Sequence, residues 1–328
     1  MVTVAVIGAG VAGLTCACEL ADRGVAVQVF ERGDDLGDHA CSWCAGGMLA
    51  PWCEQESAED IVVRLGLDSA EWWSRHSSSV RRNGSLVLAP GRDRRELSRF
   101  SRLTDHHDQI GATAIADLEP DLAGRFNTGL SFPGESHLEP RRALADLVSY
   151  LRDRGIEIAF GREVDPSAHR ADWVIDCRGY SARDALPALR GVKGEMLVLR
   201  SHEITLSRPI RFLHPRIPLY IVPWAEQRFM VGATMIENDQ RSRISARSVL
   251  ELLSAAYAVH PLFSEAEVVE MGVDVRPAFI DNVPRVSVTD RTVRINGLFR
   301  HGFLLGPAMA RQAADVVFGQ RVGQSVAR

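Results

Sequence analysis

Apolar runs too short to be helices alternate with amphipathic stretches at both ends of the chain and in its middle. Val4-Ala5-Val6-Ile7 is unbroken and apolar, the mark of a parallel strand covered on both faces. Residues 14–23 follow as a helix ended by Gly24, and residues 25–30 as a second apolar strand. Residues 59–67 and 69–78 read as helices, and Leu86-Val87-Leu88 opens a region of short strands and loops reaching to about Glu135. Residues 140–154 place Leu144, Leu147, Val148 and Leu151 on one helical face, stopped by Gly155. Strands are predicted at 156–160 and 173–176, and a strand-rich block runs from 194 to 234 with apolar cores at 196–199, 219–223 and 229–232. A helix over 247–260 is opened by Ser245, and the chain closes with a strand at 293–296 and a helix from about Pro307 to Phe318. The pattern predicts an α/β fold with a discontinuous Rossmann-like domain (1–85, 136–190 and 268–328). A mainly antiparallel α+β substrate domain (86–135 and 191–267) is inserted into it.

Between the first strand and the first helix stands Gly8-Ala9-Gly10-Val11-Ala12-Gly13, a G-x-G-x-x-G. Gly8 permits the tight turn, Gly10 lets backbone approach a pyrophosphate, and Gly13 lets helix and strand pack closely. The helix N-terminus offers free N–H groups and the positive end of its dipole to phosphate. Glu31 ends the second strand eighteen residues after Gly13, placed to accept a hydrogen bond from a ribose 2′-OH. Strand, glycines, helix, strand and acid in order predict a dinucleotide site.

Composition narrows the partners. The 328 residues are 46% apolar and 24% charged with a net charge of −4, which favours neither nucleic acid nor an anionic membrane. No run is long and apolar enough to span a bilayer. Six cysteines do not make a disulfide scaffold in a chain this long, so a reducing cytoplasm is expected.

Five further segments carry a resemblance. They are Ala45-Gly46-Gly47-Met48-Leu49-Ala50-Pro51, Tyr220-Ile221-Val222-Pro223, Val231-Gly232-Ala233-Thr234-Met235, Val275-Arg276-Pro277 and residues 299–308, FRHGFLLGPA. With the opening fingerprint they make the chain resemble the amino-acid oxidase family of flavoproteins, which includes D-amino-acid and sarcosine oxidases, and most of all its glycine-oxidase branch. The resemblance implies FAD, bound non-covalently, since no cysteine stands near Arg276 or Arg300 where sarcosine oxidases attach flavin. It implies cofactor contacts from Gly8, Ala9, Gly10, Val11, Ala12, Gly13, Glu31 and Arg32, then Ala45, Gly46, Gly47, Met48, Val164, Cys177 and Gly179. Arg276, Arg300, His301, Gly302, Phe303 and Leu304 complete that set. Substrate would lie among Met48, Tyr220, Met235, Arg276 and Arg300, with Tyr220, Arg276 and Arg300 as the catalytic set. A guanidinium suits this task because its planar fork matches a carboxylate. The helix expected at Pro307-Ala308 would stabilise negative charge on the flavin. The implied reaction is oxidative deamination of glycine or another small amine, with dioxygen as acceptor and imine and hydrogen peroxide as products, supplying the thiazole of thiamine. The family also implies a homo-oligomer, a tetramer. Asn296-Gly297-Leu298 before Phe299, His301 after Arg300, and Cys177-Arg178-Gly179 depart from the family pattern.

Other readings compete. D-amino-acid or sarcosine oxidation differs from glycine oxidation by a few substrate atoms. Cys41-Ser42-Trp43-Cys44 is a CxxC, so a flavin thiol–disulfide oxidoreductase is the principal rival. That chemistry calls for a second dinucleotide fingerprint in mid-chain, and the sequence has none. An NAD dehydrogenase shares the first fingerprint but would not need the later flavin-facing segments. A non-catalytic flavin-binding protein would not require Tyr220, Met235, Arg276 and Arg300, and an FAD monooxygenase would consume NAD(P)H. Metal ligation by Cys41, Cys44 and Cys53, or by His106-His107, has weak spacing, and no metal is expected.

Overall fold

Two sheets divide the work in the computed structural model, which describes residues 2–214 and 219–319. The first has six strands in the order Arg285–Thr289, Thr292–Asn296, Trp173–Asp176, Thr3–Ile7, Ala26–Phe30, Ile158–Ala159. All its neighbours are parallel except the edge pair Arg285–Thr289 and Thr292–Asn296. Thr3–Ile7 lies at its centre, which is why Val4, Ala5, Val6 and Ile7 are apolar on both faces. The strand expected at 156–160 shrinks to Ile158–Ala159, pairing only with Val29 and Phe30.

The opening helix is Val11–Asp22, three residues longer at its start than the sequence pattern suggests. Gly13 therefore sits in the first turn, where a Cβ would stand 1.8 Å from the Gly8 carbonyl oxygen. The helix Pro140–Arg152 covers the same face of the sheet, with Leu144, Leu147 and Leu151 fully buried as their spacing predicts.

The second sheet has nine strands. Eight run in the order Ile236–Glu237, Arg190–Arg200, Arg228–Gly232, Leu219–Pro223, Ile210–Phe212, Ser85–Leu88, Thr128–Phe132, Asp108–Gly111. The ninth, Glu267–Ala278, pairs antiparallel along Arg190–Arg200, so the chain leaves this sheet only after Ala278. The helix Ala246–Val259 is capped by Ser245, whose hydroxyl accepts from the Ser248 N–H at 3.1 Å. Its Leu252, Ala255, Ala256 and Val259 join a core with Leu197, Leu199, Phe229 and Val231. No helix among the described residues is long and apolar enough to cross a membrane.

The last helix corrects the sequence reading. It runs Gly302–Val317, so its N-terminus lies at His301 and Gly302, not at Pro307, which falls inside it. Proline has no N–H to offer the carbonyl four residues back, Phe303. That carbonyl accepts instead from Trp73 Nε1 at 2.8 Å and Ser69 Oγ at 3.2 Å, both on the helix Ser69–His76. A proline that would otherwise break the helix is thereby accommodated. Trp73→Phe removes the stronger donor from a buried carbonyl and should cost about 1–3 kcal/mol of unfolding free energy, read from denaturant midpoints. An unchanged midpoint would show that the carbonyl does not depend on this indole.

Candidate active site

The carboxyl ends of Thr3–Ile7, Ala26–Phe30 and Trp173–Asp176 open into a cavity of about 400 Å³ whose far wall belongs to the second sheet. At the first-sheet end, the Glu31 carboxylate is buried and accepts from the Ala9 N–H at 2.7 Å and the Gly33 N–H at 2.9 Å, one on each oxygen. Each oxygen keeps a further lone pair, and Glu31 lines the cavity beside Arg32, Arg162 and Val164. Gly8 makes the turn at φ +102°, a conformation that disfavours a side chain. Gly10, Val11 and Ala12 line the cavity at the N-terminus of the opening helix, where Ala12 and Gly13 have no intrahelical acceptor for their N–H groups.

A second helix N-terminus points at the same space, with Gly302 and Phe303 in the wall. Two positive helix ends, a carboxylate at the tip of the second strand and an apolar wall are a donor set that fits FAD: phosphates at the first helix, ribose at Glu31, a flat ring between. Ala45, Gly46, Gly47, Met48, Cys177 and Gly179 line this middle stretch. Four of the expected contact residues stand behind the wall instead: Ala9, Gly13, His301 and Leu304. Ala9 is held on Glu31, Gly13 packs on Gly8, and Leu304 packs on Gly66.

Cys41 and Cys44 also line the cavity, as free thiols in the single turn Cys41–Cys44. Burial pushes the Cys41 thiol up to about 12 and the Cys44 thiol up to about 11. Both are therefore protonated and poorly nucleophilic at neutral pH, the opposite of what thiol–disulfide exchange needs.

The remaining expected residues, Tyr220, Met235, Arg276 and Arg300, meet at the second-sheet end with Met48. Arg276 lies on the edge strand Glu267–Ala278, and its guanidinium lies flat against Gly194 of the neighbouring strand. A Cβ at Gly194 would stand 2.4 Å from it. Its one hydrogen bond among the described residues goes from Nη1 to the Thr234 carbonyl at 3.0 Å, and no carboxylate stands within ion-pair distance. Burial lowers its pKa, and the like charge of Arg300 adds to that.

Arg300 is different. Its Nη2 sits 2.6 Å from Glu54 Oε2 and donates to Ser57 Oγ at 2.7 Å. Glu54 ends the short helix Pro51–Glu54 and is buried, yet it lines the cavity. Its Oε1 accepts from the Tyr220 hydroxyl at 3.1 Å, so the hydroxyl expected to meet substrate is directed to Glu54. Its Oε2 also lies 2.9 Å from His301 Nε2. An ionised carboxylate can only accept, so Nε2 carries the proton, and the nearby Arg300 Nε at 3.2 Å makes no hydrogen bond to it. Burial works to raise the Glu54 carboxyl, but Arg300, His301 and Arg211 outweigh it and hold it well below the usual carboxylate range. The sequence reading missed Glu54. Its one local signal was an acid three residues after Pro51, the end of the apolar turn that carries Met48.

Behind Glu54, buried Glu135 accepts from the Cys53 N–H at 2.7 Å and from the Ser85 hydroxyl. Burial pushes its carboxyl up from 4.5 to about 7. The folded protein holds that proton more tightly than the unfolded chain. Stability therefore falls as pH rises from about 4.5 to about 7, by a contribution on the order of 3 kcal/mol. Glu135→Gln should flatten that decline in denaturant titrations across this range; a slope equal to the parent's would assign the proton to another group.

The comparisons with known proteins agree with this geometry. A family model described as FAD dependent oxidoreductase matches residues 3–316. A Rhizobium etli protein designated thiamine biosynthesis oxidoreductase ThiO is 54% identical over 94% of both chains. A glycine oxidase of Bacillus licheniformis is 28% identical over 97% of this chain and 93% of its own. Among solved structures, glycine oxidase from Geobacillus kaustophilus superposes with a TM-score of 0.81 at 23% identity, covering 100% of both chains. A cavity built for a dinucleotide and a family match along nearly the whole chain lead to one conclusion: the protein belongs to the FAD-dependent oxidoreductase family.

Proposed function

We propose that this protein is an FAD-dependent oxidase of glycine or a similarly small amino acid, using dioxygen and releasing imine and hydrogen peroxide. The observation that carries the reading is Arg276, a guanidinium in the cavity wall with no carboxylate partner of its own. A half-buried cation on an apolar wall is stable only if something anionic completes it, and an α-carboxylate matches its fork. Gly194 holds the guanidinium flat and the Thr234 carbonyl fixes its rotation, so the fork is oriented before substrate arrives.

Met48, Tyr220 and Met235 line the cavity with Arg276, and bulky side chains at these positions favour glycine and its small analogues as substrates. Glu54, ionised and already accepting three donors, is too weak a base to take the ammonium proton. The amine therefore enters in its neutral form. Bound along this cavity, FAD would supply the hydride acceptor for the α-carbon and the route for electrons to dioxygen. The N-terminus of Gly302–Val317, at Gly302 and Phe303, supplies the positive helix end that favours negative charge in the cavity.

The likeness to ThiO supports a place in supplying the thiazole of thiamine, through the imine or its hydrolysis product glyoxylate. The same reading takes the FAD as non-covalent and the protein as a cytoplasmic homo-oligomer, a tetramer by family.

Arg276→Ala should raise the apparent KM for glycine by roughly 30-fold or more, since truncating one partner of a buried charge pair costs about 2–5 kcal/mol. FAD should remain bound, seen in the visible spectrum of the purified variant. Arg276→Lys should recover only part of the loss, because a point charge does not reproduce a two-pronged contact. A KM for glycine unchanged in Arg276→Ala would remove the carboxylate clamp from the account.

A further inference from the structure

Charge at the substrate end of the cavity sums to a small number. Arg241 lines the cavity but is paired with Asp274 at 2.9 Å. Arg211, buried behind Tyr220, is paired with Glu56 at 3.1 Å. Arg300 is paired with Glu54 at 2.6 Å, and Glu54 Oε2 is filled by Arg300 and His301 together. Arg276 has no ion-pair partner among the described residues. Among the described residues, these four arginines and three carboxylates sum to one positive charge, which matches an amino acid with a neutral amine and a single carboxylate.

We propose that Glu54 determines specificity by charge: it keeps Arg300 occupied, so the cavity accepts amino acids with one carboxylate and rejects those with two. This rests on the reading of Arg276 as the carboxylate clamp. Glu54 and Arg300 both line the cavity, and Arg300 Nη1 lies 4.0 Å from Met235 Sδ, so the pair stands beside the substrate wall rather than behind it. A second carboxylate would have to displace Glu54 from Arg300, and the Glu54 charge it then faced would repel it in a poorly screened space. Tyr220 and His301 act as positioning residues here, since each donates to Glu54 and fixes it toward Arg300.

Removing the Glu54 charge while keeping its shape leaves Arg300 free and raises the net charge from one to two. The test uses the FAD-loaded protein and two substrates, glycine and iminodiacetate, which is glycine bearing a second carboxymethyl group on its amine. It adds calorimetric titration with two non-reacting anions, acetate and malonate. In Glu54→Gln the ratio of kcat/KM for iminodiacetate to that for glycine should rise by about tenfold or more, and malonate should gain on acetate similarly. Glu54→Asp, which keeps the charge, should stay near the parent ratio. Glu54→Gln combined with Arg300→Met returns the sum to one and should return both ratios toward the parent.

Unmoved ratios in Glu54→Gln would overturn the proposal. So would a parent protein that binds malonate more tightly than acetate, a result that needs no variant to fold. If glycine turnover survives Arg276→Ala intact, the clamp reading fails. If the clamp holds and the ratios stay fixed, the Glu54 proposal alone falls.

Discussion

The close approach of the first and last helices is the constraint on which the site depends. Val11–Asp22 and Gly302–Val317 meet through residues four apart on each: Gly302 against Val11, and Gly306 against Thr15. A Cβ at Gly302 would come to 3.1 Å from Val11, and one at Gly306 to 3.3 Å from Thr15 Oγ1. Side chains at either glycine would push the axes apart. Held close, the two helices aim both N-termini into one cavity from neighbouring directions. Trp73 and Ser69 make this possible by satisfying the Phe303 carbonyl that Pro307 leaves without its usual donor. The proline lies one turn inside the helix end because another helix supplies the missing hydrogen bonds.

From that frame the chemistry follows by subtraction. The cavity contains several charged side chains, but at its substrate end most of them cancel in pairs. Glu54 gathers Arg300, Tyr220 and His301, and Asp274 holds Arg241. Among the described residues, Arg276 is held by a carbonyl and by contact with a glycine that makes room for it. An enzyme of this kind needs little acid–base apparatus, because the cofactor carries the redox step and the protein supplies orientation and charge. On the proposed reading the protein's part is to select which anion fits, and Arg276, with no ion-pair partner among the described residues, does the selecting.

Much of this was legible in the sequence because the signals were local. The fingerprint from Gly8 to Glu31 is contiguous, and its turn and acid fell where the spacing put them, with the helix starting three residues earlier. Arg276 and Arg300 could be picked out because each sits in a short motif. Glu54 could not, since its meaning depends on Tyr220 and His301, 166 and 247 residues further along. The edge strand Glu267–Ala278 was hidden because its first half is largely exposed and acids at Glu267, Glu270 and Asp274 interrupt it, so no apolar run announces it. The last helix was read late because proline ordinarily marks a first turn. Tertiary hydrogen bonds overrode that preference. Where local rules failed, a distant residue had supplied what the segment lacked.

The central claim is that a small amino acid, clamped at Arg276, delivers its electrons in this cavity without a nicotinamide donor. It is tested most directly by mixing the purified, FAD-containing protein with glycine under nitrogen and then admitting air. The account predicts that the visible flavin band bleaches on glycine alone, and that air restores it with release of hydrogen peroxide. Persistence of the band with glycine, sarcosine and D-alanine alike would contradict it.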